Sequence, residues 1–157
     1  CSRMRRTLCL LLLSASLASG CKTFAPIRTT TALLAPTRSI YEIASQLTGC
    51  PVAILRGYHF AESSYGANVD HPDPFDVGDF ALHESAGYHK ERARRYGEYN
   101  ARNPLDSAIL AGRLYVSNLA ALGNREDAIA AFKQGREGVR RDGRAQWYVD
   151  RVLGIRS

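Results

Sequence analysis

Apolar residues recur at helical spacing in the C-terminal half of the chain. Between Pro104 and Gly123 they follow the i, i+3, i+4, i+7 spacing that places side chains on one face of an α-helix. The positions on this face are Leu105, Ala108, Ile109, Gly112, Val116 and Leu119. Proline suits the first turn of a helix and glycine its end. The pattern therefore predicts a long amphipathic helix that follows Pro104 and ends at Gly123.

Similar signals predict helices in the other periodic segments. Ser39 is placed to cap a helix that stops at Gly49, and Pro51 suits the first turn of the next helix. Asn124 opens another helix, and a terminal helix is expected around residues 147–153. No run of alternating apolar and polar residues demands a sheet. The sequence thus predicts an all-α fold.

The N-terminal segment has the features of an export signal. Three arginines precede the apolar run 8–13, which is too short to cross a bilayer, and small residues then lead to Cys21. A cysteine directly after Ala-Ser-Gly resembles the lipobox of bacterial lipoproteins, in which the signal is removed and the new N-terminal cysteine is lipidated. We expect residues 1–20 to be a lipoprotein signal peptide. Export and a lipid anchor on Cys21 would place the protein at the cell membrane, facing the periplasm.

Residues 21–38 are expected to form the lipid anchor and a tether. Prolines and threonines in this segment follow no helical period, which suits an extended linker. One compact domain, residues 39–157, then remains, and its length is close to the commonest domain size.

The charge of the chain bears on its partners. The full sequence carries a formal net charge of +6, and removal of residues 1–20 would take away three arginines and no acid, which leaves +3. A mildly basic charge argues against nucleic acid, whose binding requires a concentrated basic stripe. We therefore expect no nucleic-acid partner, whereas an anionic cell-wall polymer is compatible with this charge.

Glu62 is the candidate for acid chemistry. It closes an apolar helical stretch that begins at Pro51, and at about 100° per residue it shares a helix face with Leu55 and Tyr58. Burial disfavours the charged form of a carboxyl group, as a general acid requires. The alternative is a frayed last turn in which Glu62 is simply solvated.

Four segments carry a family resemblance. Residues 61–65, 76–82, 128–135 and 148–153 follow in the order of the motifs of soluble lytic transglycosylases. Those motifs are Glu-Ser after an apolar helix, a Gly-Leu-Phe-Gln or Gly-Leu-Met-Gln turn, an Ala-Tyr-Asn helix end and a late Tyr-Val. Over residues 39–157 the chain resembles this lysozyme-like family. The resemblance implies a lysozyme-like helical domain with an active-site groove.

The resemblance also implies an activity and a set of site residues. The activity is that of a peptidoglycan lytic transglycosylase, which cleaves the β-1,4 bond between N-acetylmuramic acid and N-acetylglucosamine and leaves 1,6-anhydromuramic acid ends. Glu62 would be the catalytic residue, and neither a cofactor nor a metal is implied. The implied substrate-binding residues are Ser63 in the loop near Glu62, Phe80 beneath a sugar face, Phe132 along the cleft, and Tyr148, whose hydroxyl would steady the carboxyl.

Two of these segments depart from the family motifs. The turn reads Gly78-Asp79-Phe80-Ala81, so an acid replaces an apolar residue and the glutamine amide is missing. The helix end reads Ala131-Phe132-Lys133, which removes a phenol and an amide. Both changes remove polar groups that would orient a sugar. A weakened enzyme, or a descendant that only binds glycan, remains an alternative.

An interaction module is a second alternative. Residues 115–132 resemble one tetratricopeptide helical hairpin. Such units need neighbours to bury their faces, and the pattern does not recur about 34 residues upstream, near residues 83–98. The enzyme interpretation is therefore preferred.

The spacing of acids and histidines predicts no metal site. Four aspartates recur at every third position from Asp70 to Asp79, whereas calcium loops place ligands at every second position and need a glycine at the sixth. His83 and His89 are not four residues apart, as the helical zinc motif requires. We expect the acidic loop to line one wall of the cleft.

Overall fold

The computed structural model describes residues 38–154, and within them six helices and one two-stranded sheet. The elements are α1 Ile40–Thr48, α2 Val52–Ser63, β1 Asp76–Val77, β2 Leu82–His83, α3 Ala86–Tyr96, α4 Pro104–Leu122, α5 Arg125–Asp142 and α6 Gln146–Leu153. The prediction of a mainly helical fold is confirmed. None of the helices in this part of the chain is long and apolar enough to cross a bilayer. The predicted signal peptide 1–20, Cys21 and almost all of the tether lie outside the described residues.

The helices begin and end where their sequence signals are. The Ser39 hydroxyl accepts a hydrogen bond from the Glu42 backbone N–H, and the Glu42 carboxylate accepts one from the Ser39 N–H in return. This reciprocal pair is a capping box. The Asn124 side chain caps α5 by accepting hydrogen bonds from the Glu126 and Asp127 N–H groups, and Gly123 ends α4 with a left-handed backbone. The predicted starts of α1 and α5 are therefore confirmed.

Two elements did not follow from the sequence pattern. A small sheet accompanies the helices without changing the all-α class: β1 and β2 form an antiparallel pair in which Asp76 faces His83 and Val77 faces Leu82. Strands of two residues are too short to show an alternating pattern. Helix α3 was also not predicted, and its residues include no buried side chain. A helix without an apolar face has no periodic signal.

The core is formed by helix pairs. Helix α4 packs against α1 and α5, while α2 packs against α6. The largest fully buried side chains come from α2, α4, α5, α6 and the hairpin region: Ile54, Leu55, Tyr58, Phe80, Leu82, Leu110, Ile129, Tyr148 and Val149. This packing brings the end of α2 close to the start of α6.

The contact between α2 and α6 depends on Gly57. A Cβ atom added at this glycine would lie 2.1 Å from the backbone oxygen of Val152, far inside van der Waals distance. The two backbones thus approach more closely than any side chain would allow. Since the obstacle is backbone, a rotamer change could not relieve the clash.

We expect Gly57→Ala to lower the free energy of unfolding by about 1–3 kcal/mol or more, the usual cost of forcing extra atoms into a packed core. Gly87→Ala is the matched control, because a Cβ added there in α3 meets no atom within 4 Å. That control should leave stability unchanged or raise it by about 0.5–1 kcal/mol. Urea unfolding followed by circular dichroism measures both, and equal effects would contradict the close approach.

Candidate active site

Glu62 is buried near the C-terminal end of α2. Its side chain is only 6% exposed, and Leu55 and Tyr58, which share its helix face, are fully buried. The helix continues through Ser63 and ends at Ser64, which has a left-handed backbone. The frayed, solvated alternative is therefore wrong, and the predicted placement of Glu62 on the core-facing side is confirmed.

One oxygen of the Glu62 carboxyl is held by Tyr148. The Tyr148 hydroxyl donates a hydrogen bond of 2.5 Å to Glu62 Oε1. Burial, followed by the nearby Glu62 carboxyl, raises the pKa of Tyr148 well above its usual value, so the phenol keeps its proton. The predicted contact between these two side chains is confirmed. Because Tyr148 is 1% exposed, it positions the carboxyl and does not offer a surface to a substrate, which corrects its assignment as a substrate-binding residue.

The other oxygen of Glu62 faces a cation. Lys133 Nζ, on α5, lies 3.5 Å from Glu62 Oε2, and the lysine side chain is 43% exposed. Sequence reasoning identified Lys133 only as a departure from a family motif. The two residues are 71 positions apart and belong to different helices, so no local pattern could have predicted their contact.

Glu62 lies in the wall of a cleft of about 930 Å³. Phe132 also lines this cleft, as predicted, and its ring stacks on buried Tyr58 with centroids 4.2 Å apart. Side chains of both charges surround the opening. The basic ones are Arg92, Arg95, Lys133 and Arg136, and the acidic ones besides Glu62 are Asp73, Asp76, Glu91 and Glu137. The cleft is thus suited to a polar ligand rather than an apolar one.

Ser63 supports the loop that follows α2. It is 1% exposed, its hydroxyl accepts a hydrogen bond of 2.9 Å from the Gly66 N–H, and it donates one to the His59 carbonyl oxygen. The prediction that Ser63 supports this loop is consistent with these contacts. Its assignment as a substrate-binding residue is corrected, since a buried hydroxyl with both contacts inside the protein cannot reach a substrate.

Phe80 lies beneath the protein surface. Its side chain is fully buried, and its ring stacks on the imidazole of His59 with centroids 5.1 Å apart. A fully buried ring cannot face a sugar, so the prediction of a sugar contact at Phe80 is wrong. The ring instead packs against His59, whose Nδ1 is 2.7 Å from the Tyr41 hydroxyl.

The aspartates of the acidic loop separate into two groups. Asp73 and Asp76 line the cleft, as the loop was predicted to do. Asp79 lies beside His59 instead, with its Oδ2 3.4 Å from Nε2 but without hydrogen-bond geometry. Burial lowers the pKa of His59, and the nearby Asp79 carboxylate opposes that shift. Asp79 is thus associated with the buried imidazole and does not line the cleft.

Comparison with known proteins gives no relative for this chain. No protein-family model, curated protein or solved structure matches it. A function can therefore be inferred only from the sequence and from the arrangement of the residues around Glu62.

We expect Tyr148→Phe to lower the free energy of unfolding by about 1–3 kcal/mol, because it leaves a buried carboxyl oxygen without its donor. Tyr58→Phe is the matched control, since the buried Tyr58 hydroxyl has no hydrogen-bond partner among the described residues. Removal of that hydroxyl should leave stability unchanged or increase it. Chemical denaturation at neutral pH compares the two variants, and an equal loss in both would contradict the hydrogen bond to Glu62.

Proposed function

We propose that the protein is a lysozyme-like lytic transglycosylase that acts on peptidoglycan. The observation that supports this most strongly is the Glu62 carboxyl, whose side chain is 6% exposed and lines a polar cleft while Tyr148 holds one of its oxygens. A carboxyl with restricted geometry and access to a ligand is the arrangement that general acid–base catalysis needs. The order of four family-like segments agrees with this function.

The chemistry needs only one carboxyl. Glu62 would protonate the glycosidic oxygen as the bond to the anomeric carbon of N-acetylmuramic acid breaks. The 6-hydroxyl of the same sugar then forms the new bond to that carbon, and the Glu62 carboxylate accepts its proton. No water is consumed, in contrast to the paired-carboxylate glycosidases, which hydrolyse their substrates.

The contacts of Glu62 assign different tasks to its two oxygens. Tyr148 occupies Oε1, so Oε2 is the oxygen that would exchange protons with the glycan. Lys133 lies beside Oε2, and its partly exposed side chain can rotate away when a glycan enters. Phe132, half-buried in the cleft wall, takes the place of Phe80 as the aromatic group that would contact a sugar.

The proposed location follows from the N-terminal sequence. Residues 1–20 would direct export, Cys21 would carry the lipid, and the segment to residue 38 would connect the membrane to the domain. Peptidoglycan strands in the periplasm would then be within reach. The reaction as written requires no cofactor, and we propose no nucleic-acid partner.

An interaction or glycan-binding role is the alternative. Helices α4 and α5 are joined by two residues and pack against each other, as in one tetratricopeptide hairpin. The segment near residues 83–98 forms β2 and the exposed helix α3 instead of a preceding hairpin. Within the described residues, α4 and α5 therefore form part of a single core and not of a repeat array.

We expect the protein to release muropeptides that end in 1,6-anhydromuramic acid when it is incubated with purified peptidoglycan. Glu62→Gln should reduce the rate by about 10²–10⁴-fold, because it removes the acid while keeping the size of the side chain. Glu91→Gln makes the same chemical change elsewhere in the cleft wall and should have little effect. Mass spectrometry of the released sugars measures the rate and identifies the ends.

Other outcomes would contradict this proposal in distinguishable ways. Reducing ends would indicate hydrolysis, with a residue such as Asp76 placing a water. Equal losses in Glu62→Gln and Glu91→Gln would mean that Glu62 has no special role. If the unmutated protein binds glycan but releases no sugar, the glycan-binding alternative is favoured.

The altered turn gives a separate prediction. Ala81 lines the cleft, so a longer side chain at this position would extend the cleft surface. Its backbone is left-handed, with φ 44°, and another residue with a Cβ atom would keep the same conformation. Ala81→Gln should strengthen glycan binding roughly two- to tenfold, the value of one oriented hydrogen bond. Ala81→Leu, of similar size but without the amide, should give no gain. Binding to soluble muropeptides measures both, and a loss of stability without a gain in binding would show that Ala81 does not occupy the glutamine position.

A further inference from the structure

Three metal-ligand side chains meet at the β-hairpin. Asp76 on β1 is paired with His83 on β2, and cross-strand partners project their side chains to the same face. The His83 Nδ1 lies 3.2 Å from Asp76 Oδ1 and 3.6 Å from Oδ2 of Asp73, which precedes β1. One donor atom from each of the three residues lies within 4.8 Å of the others. All three residues line the cleft that contains Glu62.

We propose that Asp73, Asp76 and His83 bind one Zn²⁺ ion. Zinc takes imidazole nitrogen and carboxylate oxygen at about 2.0–2.2 Å, so ligand atoms at the corners of a tetrahedron are roughly 3.3–3.6 Å apart. The separations of 3.2 and 3.6 Å from His83 Nδ1 fit this spacing. A small movement of the exposed Asp73 side chain would bring its carboxylate to the tetrahedral spacing from that of Asp76.

The surroundings of the three residues restrict their orientation. Asp73 Oδ1 accepts a hydrogen bond of 2.9 Å from the Phe75 N–H, which leaves Oδ2 directed to His83. The His83 ring lies between the rings of Phe75 and Tyr88, with centroid distances of 5.6 and 5.1 Å. Arg92 donates a hydrogen bond to the His83 carbonyl oxygen. Ligands supported by neighbouring groups bind metal more tightly than free side chains.

The ligand set favours zinc over harder cations. Calcium prefers six to eight oxygen ligands, and magnesium keeps several waters and few protein ligands. An imidazole with two carboxylates suits zinc and related transition metals. A hydrogen bond from the His83 Nδ1–H to Asp76 is the competing explanation of the same distances, and it needs no metal.

Zinc binding can be measured without a glycan, so the test is independent of the proposed enzymatic function. Isothermal titration of the full chain, made without a histidine tag, should show one Zn²⁺ site, and the melting temperature should rise with zinc concentration. Nuclear magnetic resonance of the imidazole nitrogens should identify His83 Nδ1 as a ligand. His83→Asn and Asp76→Asn should each weaken binding by at least roughly tenfold.

Asp70→Asn is the matched control, because it removes one negative charge from the same loop and leaves the proposed ligands intact. Its affinity for zinc should equal that of the unmutated protein. Circular dichroism checks that each variant is folded. The proposal is overturned if the unmutated protein binds no zinc, if the His83 resonances do not respond, or if all three variants bind zinc equally well.

Discussion

The close approach of α2 to α6 is the contact on which the candidate site depends. Gly57 lies directly against the Val152 backbone, and Glu62 lies against Tyr148. Residue numbers rise along α2 as they fall along the facing part of α6, so the two helices run antiparallel. Glu62 is five residues from Gly57 and Tyr148 is four from Val152, or roughly 7.5 and 6 Å along the two axes. A wider spacing of the helices would separate the phenol from the carboxyl.

The surroundings of Glu62 combine restraint with access. Tyr148 restrains Oε1 from the core side, while Lys133 approaches Oε2 from the more exposed side. The carboxyl is thus neither sealed in the core nor free in solvent. The Glu62 side chain both contributes to the packing of the domain and faces the cleft. Truncation of this side chain would therefore change stability and chemistry together. Glu62→Gln therefore keeps the shape of this side chain and changes only its chemistry.

The sequence predicted those features that local patterns encode. The caps at Ser39 and Asn124 predicted where α1 and α5 begin. The helical periodicity predicted that the face of α2 with Glu62 is buried. Both signals act within one helix. The contact of Tyr148 with Glu62 came from the family resemblance, since the two residues are 86 positions apart. The role of Phe80 was wrong because a motif gives an order of residues and not the depth of a ring below the surface.

Other features have no signal in a single sequence. Gly57 looks like an ordinary glycine in a helix until the Val152 backbone is seen beside it. Asp73, Asp76 and His83 lie close together because of the register of two very short strands. Strands of this length have no alternating pattern that could predict the register. The Lys133 contact depends on the packing of α5 near the end of α2. Each of these is a property of tertiary packing rather than of local propensity.

In the proposed reaction Glu62 directs an internal hydroxyl, and not water, to the anomeric carbon. Digestion of purified peptidoglycan in water enriched in ¹⁸O, followed by mass spectrometry of the muropeptides, tests this directly. We expect released products with 1,6-anhydro ends and no ¹⁸O label at the cleaved anomeric carbon. Products that carry one ¹⁸O atom there would contradict it.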